Sequence, residues 1–300
     1  MSKLVVTGGA GFIGSHLTDE LIALGHEVAV VDNLMLGKKE FINKKAKFFK
    51  KDIRDYKSLK KIFKGAEAVF HLAAEPRLPL SVKDPLTTND INVSGTLNVL
   101  WAAKENQVGK VVFSSSCAVY GLGEPPFREE AGANPVSPYG LHKFIGEKYC
   151  QLFFGLYGLK TVCLRYFNVF GSRKLATGAY PMVIPIFLDQ RVKNKAMTIV
   201  GDGQATRDYV HVKDVAQANI LAWKSQINDG LAINIGSGQQ TSVNEIAGLI
   251  GGKTINIPAR PGEMEAVAAD NTKAGELLGW RPTIDLKDGI RELKRELNIE

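Results

Sequence analysis

Residues 7–14 read Thr-Gly-Gly-Ala-Gly-Phe-Ile-Gly, and they join a short apolar run, Lys3–Thr7, to an amphipathic segment, Phe12 to Leu24. A strand that passes through a glycine-rich turn into a helix is typical of the first βαβ unit of a dinucleotide-binding fold. Glycine lets main-chain amides approach a pyrophosphate, and the positive end of the following helix points at the same charge. We therefore expect a dinucleotide to contact Gly8, Gly11, Phe12, Ile13 and Gly14.

Asp32 indicates which dinucleotide the turn binds. It follows a second apolar run, Glu27–Val31, and stands 24 residues after Gly8. A carboxylate at this place accepts the ribose hydroxyls of NAD and repels the 2′-phosphate of NADP. The sequence therefore predicts NAD as the cofactor, with Asp32 and Asn33 among its contacts.

Two later strand ends fit the same cleft. Asp52 and Ile53 end a third strand and are expected to flank the adenine. Leu72, Ala73 and Ala74 end a fourth strand, where small side chains would let the cofactor lie against the main chain. The carboxyl ends of parallel strands form one crevice, so these residues belong with the glycine turn.

Short apolar runs alternate with longer helical segments as far as residue 165. The predicted strands are Lys3–Thr7, Glu27–Val31, Lys47–Lys51, Glu67–His71, Lys110–Ser114 and Thr161–Arg165. The predicted helices are Phe12–Leu24, Tyr56–Lys64, Asn89–Asn106 and Tyr139–Tyr157. This alternation predicts an α/β fold with a Rossmann-type, doubly wound parallel sheet.

After about Phe170 the predicted elements become shorter, and turn residues crowd between them. We expect helices at 183–192, 214–226, 243–250 and 285–297, with strands at 197–200 and 231–235. Short elements separated by many turn residues predict a second, smaller α/β domain that binds the substrate. Residues 1–170 with about 206–236 would form the NAD-binding domain, and residues 171–205 with 237–300 the second domain.

Composition excludes several classes of protein. Of the 300 residues, 45% are hydrophobic and 23% are charged, which argues against disorder and coiled coil. There is no run of about 18 apolar residues to span a membrane, and no targeting segment, so we expect a cytoplasmic protein. Cys117, Cys150 and Cys163 are odd in number and far apart, which predicts neither disulfides nor a metal site.

The net charge of +7 comes largely from one segment, residues 38–64, which holds twelve Lys or Arg. The interpretation we favour is a solvated surface, because a charge run is usually one. Nucleic-acid binding is not expected, since neither an aromatic RNA-binding signature nor a helix-turn-helix pattern accompanies the charge.

Tyr139 and Lys143 are the candidate reacting groups. They stand at i and i+4 on one helix face, and Ser114 and Ser116 end the strand that precedes that helix. Bringing the pKa of a tyrosine from about 10 to about 7 needs roughly 4 kcal/mol of extra stabilisation of the phenolate. A neighbouring ammonium and a positive nicotinamide supply stabilisation of this kind, so Tyr139 is predicted to be a base for a substrate hydroxyl.

The motifs together resemble the extended short-chain dehydrogenase/reductase family, and within it the nucleotide-sugar 4-epimerases. The resemblance rests on Thr7–Gly14, Ser114–Gly121, Ser137–Lys143 and Arg165–Asn168, in family order and over nearly the whole chain. It implies an NAD-dependent isomerase that inverts C4 of a UDP-hexose, such as UDP-glucose or UDP-galactose. Hydride would leave C4, a 4-keto intermediate would turn over, and hydride would return to its other face.

The resemblance also implies roles for individual residues. Tyr139 would be the base, Lys143 its helper and Ser116 the third catalytic member, which also binds the substrate. Ser114, Tyr139, Lys143 and Phe167 would contact the cofactor. Asn168, Arg207 and Arg260 would contact the UDP diphosphate, and Glu263 the uridine ribose. The uracil pocket would be lined by Val183, Thr198, Ile199 and Val200.

Three departures from related patterns bear on the reaction and the substrate. Related dehydratases and decarboxylases carry carboxylates directly after the catalytic hydroxyl residue, whereas this chain has Cys117 and Ala118, which argues against both reactions. Val267 stands where relatives that exclude N-acetylated sugars tend to hold a tyrosine. We hypothesise that Val267 leaves room for the acetamido group of UDP-GlcNAc or UDP-GalNAc. Glu75-Pro76-Arg77 replaces commoner residues, without an evident role in the sequence.

Two alternatives to the epimerase stay open at this point. One is another NAD-dependent nucleotide-sugar 4-ketoreductase or dehydrogenase on the same scaffold. The other is a non-catalytic NAD-binding protein, against which the intact Ser116, Tyr139 and Lys143 argue. The family also implies a homodimer, formed by helices near 89–106 and 139–157.

Overall fold

The computed structural model describes residues 1–174, 182–259 and 265–299. Thirteen strands occur in these ranges. They are β1 (Lys3–Thr7), β2 (Glu27–Asp32), β3 (Lys47–Lys50), β4 (Ala68–His71), β5 (Lys110–Ser116), β6 (Thr161–Tyr166), β7 (Asn168–Phe170), β8 (Met197–Val200), β9 (Thr206–Arg207), β10 (Tyr209–His211), β11 (Asp229–Ile235), β12 (Thr241–Ser242) and β13 (Thr254–Ile257).

Seven of the strands form one parallel sheet in the order β11-β6-β5-β4-β1-β2-β3. The chain starts in the middle, moves outward to β3, and then returns across β1 to β4 and beyond. This reversal places a crevice at the carboxyl ends of the central strands, where open α/β sheets bind their ligands. The predicted fold class is confirmed.

The helices cover both faces of the sheet and the region beyond it. They are α1 (Phe12–Ala23), α2 (Tyr56–Ile62), α3 (Leu78–Lys83), α4 (Pro85–Asn89), α5 (Gly95–Glu105), α6 (Pro138–Tyr157), α7 (Val183–Val192), α8 (Val212–Lys224), α9 (Val243–Ile250), α10 (Thr272–Leu278) and α11 (Leu286–Glu296). None of the helices in the described ranges is both long and apolar enough to cross a bilayer.

Alternate residues of each central strand enter the two halves of the core. In β1, Leu4 and Val6 pack with α1 and α8, whereas Val5 packs with α2, α5 and α6. Strands that are buried on both faces read as continuous apolar runs, which is why the sequence pattern locates them. Burying these side chains is the main stabilisation that holds helices to both faces.

The predicted helix at 89–106 is longer and less regular than expected. α4 continues through a wide π turn, Asp90–Ser94, into α5, so the helical segment spans residues 85–105. A π turn shifts the side chains that follow it around the helix axis, and such turns are frequent at functional sites. Here it aims Asn92 inward, where its side chain is buried.

α6 carries Tyr139 and Lys143, and the sequence defines both of its ends. The Ser137 hydroxyl accepts a hydrogen bond from the Gly140 N–H at 3.1 Å, and Pro138 occupies the first turn. Gly158 ends the helix in the left-handed conformation. Tyr139 therefore lies in the first turn, at the carboxyl end of the sheet.

The smaller region packs around a core of its own. β8 pairs with β13, and α7, α9 and α11 surround side chains that include Phe187, Met197 and Ile246. The predicted helices 183–192 and 243–250 and the predicted strand 197–200 match the structure. We retain the predicted domain division as a proposal with one change: Trp280 and α10 pack in the first core, with Val215 of α8.

A buried ion pair joins α6 to β6. The Arg165 Nε and Nη2 atoms donate to the two carboxylate oxygens of Glu147, each at 2.8 Å. The side chains are only 6% and 2% exposed. Water therefore screens little of the charge on either partner.

We predict that Arg165→Met costs about 3–5 kcal/mol in the free energy of unfolding, because Glu147 is then buried without its partner. Urea unfolding followed by circular dichroism measures this cost. Arg291→Met, which breaks an exposed pair with Asp288, serves as the matched control and should cost about 1 kcal/mol or less. Equal costs for the two variants would contradict the prediction.

Candidate active site

A cleft of about 470 Å³ opens at the carboxyl ends of the central strands. Its size is that of a typical small-molecule site. Every residue that the sequence predicted to contact the cofactor lines this cleft: Gly8, Gly11, Phe12, Ile13, Gly14, Asp32, Asn33, Asp52, Ile53, Leu72, Ala73, Ala74, Ser114, Tyr139, Lys143 and Phe167. Ser116 lines it too. The individual contacts stay predictions, but their residues meet in one place.

The glycine turn fits a dinucleotide because it leaves no room for side chains. Gly8 adopts a φ of +73°, and a Cβ atom on it would lie 2.7 Å from the Ala73 nitrogen. The Gly8 N–H donates to the Val31 carbonyl at 2.8 Å, which holds the turn over the end of β2. The bare main chain and the start of α1 thus form a cradle suited to a pyrophosphate.

Asp32 ends β2 with its carboxylate held by two main-chain amides. Oδ2 accepts from the Ala10 N–H at 3.0 Å, and Oδ1 accepts from the Leu34 N–H at 2.8 Å. Burial raises the pKa of Asp32, and these two hydrogen bonds oppose the rise. Each oxygen keeps a lone pair for a ribose hydroxyl, which fits the predicted preference for NAD.

Asp52 is held firmly ionised beside the predicted adenine site. The Arg54 Nε and Nη2 atoms donate to its two oxygens, each at 2.9 Å, and the Asn33 amide donates to Oδ2 at 2.9 Å. The hydrogen bonds from Arg54 lower the pKa of Asp52 to about 2. Asp52 therefore acts as a fixed acceptor at this end of the cleft.

His71 is buried at the end of β4, directly before the lining residue Leu72, and was not among the predicted contacts. Its ring lies between the Thr7 and Thr96 hydroxyls, at 2.8 and 2.9 Å. Burial lowers the pKa of His71 to about 3, so the imidazole is neutral in the working range of an enzyme. The histidine ties β1, β4 and α5 together beneath the cofactor site.

Lys143 is buried beneath the reacting end of the cleft. Its Nζ donates to the Ser114 carbonyl at 2.6 Å and lies 5.9 Å from the centre of the Tyr139 ring. Burial lowers the pKa of Lys143 to about 8, and the Glu147 carboxylate opposes this. The ammonium is thus near the phenol, with remaining donors for a bound ligand.

Tyr139 differs from the expectation in one respect. Burial raises the pKa of its phenol, although the Ser116 hydroxyl partly opposes the rise. The expected lowering of this pKa by Lys143 is not found, because the loss of solvation of the phenolate dominates. A positive charge bound in the cleft, such as that of oxidised nicotinamide, would oppose this rise.

Glu147 is a second site residue that the sequence reasoning missed. It lies one helical turn beyond Lys143 on α6, and its Oε1 accepts a hydrogen bond from the Ser115 hydroxyl at 2.5 Å. The spacing of Tyr139, Lys143 and Glu147, four residues at each step, is the signal that could have found it. The three side chains form a column along one face of α6.

Two cations beyond β7 also line the cleft without having been predicted. Arg173 pairs with Asp19 at 2.7 Å, and the Lys174 ammonium lies 4.9 Å from the centre of the Phe12 ring. Burial lowers the pKa of Lys174 to about 8. Their position just after a strand of the carboxyl-end crevice is a signal that the sequence offered.

The predicted diphosphate contacts are only partly described. Asn168 starts β7, and its amide donates to the Asp208 carbonyl at 3.0 Å. Arg207 ends β9, and its Nη1 donates to the Thr206 carbonyl at 2.8 Å. Arg260 and Glu263 lie outside the described residues.

The residues predicted for the uracil pocket divide into two groups. Val183 begins α7 and is half-buried, next to Met182, which lines the cleft. Thr198 and Val200 are half-buried on β8, whereas Ile199 is buried in the core between them. Because side chains alternate along a strand, only the main chain of Ile199 is left to contact a ligand, contrary to the expectation.

Val267 is buried at 5% exposure in a small apolar cluster. Its neighbours in that cluster include Tyr120, Phe127 and Phe167, and Cys117 packs against them. Since Cys117 follows Ser116, this cluster forms the wall behind the reacting serine. Burial raises the pKa of the Cys117 thiol to about 12, which agrees with a packing role.

Comparisons with known proteins agree with this arrangement. Residues 4–236 match the model of the NAD dependent epimerase/dehydratase family. One relative is a Methanocaldococcus jannaschii protein named as a candidate UDP-glucose 4-epimerase. It is 46% identical over 97% of this chain and 96% of that one.

Solved structures are similar over the full length. A UDP-glucose 4-epimerase from Thermotoga maritima, determined with UDP-glucose, is 38% identical with a TM-score of 0.93 and covers 98% of this chain and 99% of that chain. A UDP-N-acetylglucosamine 4-epimerase from Methanobrevibacter ruminantium, in complex with UDP-N-acetylmuramic acid, is 36% identical with a TM-score of 0.92 over 98% and 99%.

The expected enzyme class and cofactor are thereby confirmed. With its parallel sheet, glycine turn and column of Tyr139 and Lys143, the chain belongs to the NAD-dependent epimerase/dehydratase family of the short-chain dehydrogenase/reductase superfamily.

Proposed function

We propose that the protein is a UDP-hexose 4-epimerase that interconverts UDP-glucose and UDP-galactose. The observation that carries the proposal is the meeting of Ser116, Tyr139 and Lys143 in the cleft that the glycine turn also lines. Bound NAD supplies the hydride acceptor and donor for the sugar carbon. A cleft that holds a base and a hydride acceptor beside a secondary alcohol can oxidise the carbon that carries it and then reduce the ketone again.

The protein's own side chains would move the hydroxyl proton. The Tyr139 oxygen takes the proton of the C4 hydroxyl as the carbon loses hydride, and returns it when the ketone is reduced. The Ser116 hydroxyl hydrogen-bonds the same sugar oxygen. Lys143, fixed by the Ser114 carbonyl at 2.6 Å, provides positive charge beside the phenolate.

The residues after Ser116 favour epimerisation over elimination or decarboxylation. Cys117 has a pKa raised by burial to about 12, and Ala118 has no titratable group. Neither can shuttle a proton to a second position of the sugar. The cycle that remains is oxidation and reduction at one carbon, which leaves the cofactor unchanged.

The substrate would be anchored by its nucleotide half. Asn168, Arg207 and Arg260 bind the diphosphate in this proposal, because guanidinium groups suit phosphate oxygens, and Glu263 accepts the uridine ribose hydroxyls. The sugar itself is held weakly and turns its other face to the nicotinamide before hydride returns. Anchoring far from the reacting carbon is what permits that rotation.

Val267 supports a second, broader substrate range. Its side chain is smaller than the tyrosine that the family resemblance places there in relatives that exclude N-acetylated sugars. It belongs to the cluster behind Ser116, next to Tyr120 and Phe167. We infer that UDP-GlcNAc and UDP-GalNAc are accepted alongside the unsubstituted hexoses.

A homodimer is supported by an apolar stripe on α6. Leu141, Leu152 and Leu156 lie on one face of the helix and are 46%, 53% and 67% exposed. Leu86, at the start of the adjacent helical segment, is 84% exposed. A second copy with the same stripe would cover both helices in a four-helix contact with two-fold symmetry.

We predict that the protein, purified and incubated with UDP-glucose and no added cofactor, yields UDP-galactose by NMR. Tyr139→Phe should slow this conversion by about 100-fold or more, because no side chain then accepts the hydroxyl proton. Tyr149→Phe, a half-buried tyrosine on the same helix, is the matched control and should keep its activity.

The same incubation separates the alternatives. An epimerase recycles its cofactor, so net consumption of added NAD⁺ or NADH would indicate a dehydrogenase or ketoreductase instead. Full biological activity of Tyr139→Phe would point to a non-catalytic NAD-binding protein.

We predict that Val267→Tyr lowers the rate with UDP-GlcNAc relative to UDP-glucose by about tenfold or more, because a phenol fills the space for an acetamido group. Parallel assays with the two substrates give the ratio. Val119→Leu adds volume to the same cluster and should leave that ratio unchanged. An unchanged ratio in Val267→Tyr would remove the size argument.

We predict that Leu152→Glu/Leu156→Glu converts the dimer to monomer, since two carboxylates would be buried in the four-helix contact. Sedimentation should shift from about twice the 32.7 kDa of one chain to that of the single chain. Leu24→Glu, at a site 52% exposed beyond α1, should leave the dimer intact. A wild-type protein that sediments as a monomer would refute the dimer itself.

A further inference from the structure

The short segment that follows β7 is fastened to one face of α1. The His16 ring donates a hydrogen bond to the Ser172 carbonyl at 3.1 Å. In the next residue, the Arg173 Nη2 atom donates to the Asp19 carboxylate at 2.7 Å. His16 and Asp19 stand three residues apart and therefore share a face of the helix. These two contacts fix the path of the chain immediately before Lys174.

Arg173 is held in a conformation that most residues avoid. Its φ is +64°, in the left-handed region that a Cβ atom disfavours. Its Nη1 atom is buried and has no hydrogen-bond partner within the described ranges, although the residue lines the cleft. Strained residues and unsatisfied buried donors occur where a ligand completes a site. Arg173 thus leaves one donor for a group that the described chain does not supply.

Lys174 is a cation of the cleft without an anionic partner. Among the described residues four cations line the cleft, and three of them donate to a protein oxygen: Lys51, Lys143 and Arg173. The Lys174 ammonium has instead the face of the Phe12 ring, 4.9 Å from its centre. Burial disfavours such a charge and lowers the pKa of Lys174 to about 8. A bound anion would replace the solvation that burial removes.

Phe12 places this ammonium beside the glycine turn. It directly follows Gly11 and is the first residue of α1, whose positive end faces the turn. Gly8 and Gly11 leave the main chain bare there, as a pyrophosphate requires. Side-chain charge, helix end and main-chain amides therefore favour an anion at the same part of the cleft.

The two ends of the segment that carries Lys174 face different neighbours. Asn168, where the segment begins as β7, donates to the Asp208 carbonyl at 3.0 Å and is a predicted ligand of the substrate diphosphate. Lys174, six residues later, contacts Phe12 of the cofactor-binding turn. The geometry assigns the ammonium to the dinucleotide rather than to the nucleotide sugar.

We propose that Lys174, positioned by Arg173, binds the pyrophosphate of the dinucleotide together with the glycine turn. The ammonium supplies a charge-assisted hydrogen bond to a phosphate oxygen. Arg173 holds the segment against Asp19 and so keeps the ammonium over Phe12. The inference does not depend on which sugar the enzyme converts, and it adds two residues to those predicted for the cofactor.

Lys174→Met removes the charge and keeps an apolar stem over Phe12. The affinity for ADP-ribose, which carries the pyrophosphate without the nicotinamide, should fall about tenfold, because a hydrogen bond between charged groups is lost. The affinity for adenosine, which has no phosphate, should not change. Calorimetric titration of the full chain, stripped of cofactor, measures both affinities.

Release of the cofactor tests the same contact in the loaded protein. Isotopically labelled NAD is bound to the full chain and chased with unlabelled NAD, and Lys174→Met should release the label about tenfold faster. Lys47→Met is the matched control. Lys47 also lies over a phenylalanine, 5.3 Å from the centre of the Phe49 ring, but at the amino end of β3, so this variant should release NAD at the wild-type rate.

The role of Arg173 is tested by two substitutions. Arg173→Met frees the segment from Asp19 while Lys174 stays, so NAD should leave about threefold faster. Arg173→Lys can still pair with Asp19 and should restore most of the wild-type rate. Both variants should bind UDP as the wild type does.

Unchanged ADP-ribose affinity and unchanged NAD release in Lys174→Met would overturn the proposal. Weaker binding of UDP with unchanged binding of ADP-ribose would also overturn it, because the ammonium would then belong to the substrate diphosphate. If the stripped chain does not fold, the release rate decides alone. All of these measurements are made without turnover, so their failure leaves the proposed epimerase function standing, and a failure to epimerise leaves them standing.

Discussion

The close crossing of α6 over β5 is the constraint on which the reacting groups depend. Gly146 faces the Phe113 ring so closely that a Cβ atom would overlap it. This contact lets the Lys143 ammonium reach down to the Ser114 carbonyl while lying 5.1 Å from the centre of the same ring. A larger residue at 146 would lift the helix and withdraw Tyr139 and Lys143 from the crevice together.

Burial has opposite effects on the two reacting groups. It lowers the pKa of Lys143 to about 8 and raises that of Tyr139, so it disfavours the charged form of each. The chain alone therefore stabilises a neutral phenol, and a positive charge bound in the cleft would oppose that preference.

The features that could be predicted from the sequence are those set by a local residue pattern or by the topology of parallel strands. Asp32 and Ser116 end buried strands, and Tyr139 and Lys143 share a helix face, so their meeting at one crevice follows from the fold. β9 and β12 escaped prediction because two-residue strands carry no periodicity.

The Asn92 amide hydrogen-bonds both the N–H and the carbonyl of Glu75, and this arrangement escaped prediction for another reason. It depends on contacts with Asn92, 17 residues away, and with the π turn that aims it. No local pattern in the sequence encodes the direction of a side chain after an irregular turn. Contacts of this kind appear only once the loop after β4 has a definite path.

The buried Asp208 carboxylate connects the two proposed domains. Asp208 accepts hydrogen bonds from the N–H groups of Ser237, Gly238 and Ala269, and from the Ser237 hydroxyl at 2.8 Å. Ser237 and Gly238 lie in the loop after β11, and Ala269 lies beyond residues 260–264. Asp208 directly follows Arg207, and its carbonyl accepts a hydrogen bond from the Asn168 N–H at 3.0 Å. Asn168 and Arg207, two of the predicted diphosphate ligands, are therefore held in place next to Asp208. Because the nucleotide would be held there, the rotation that epimerisation requires is confined to the sugar and to the bonds that join it to the phosphate.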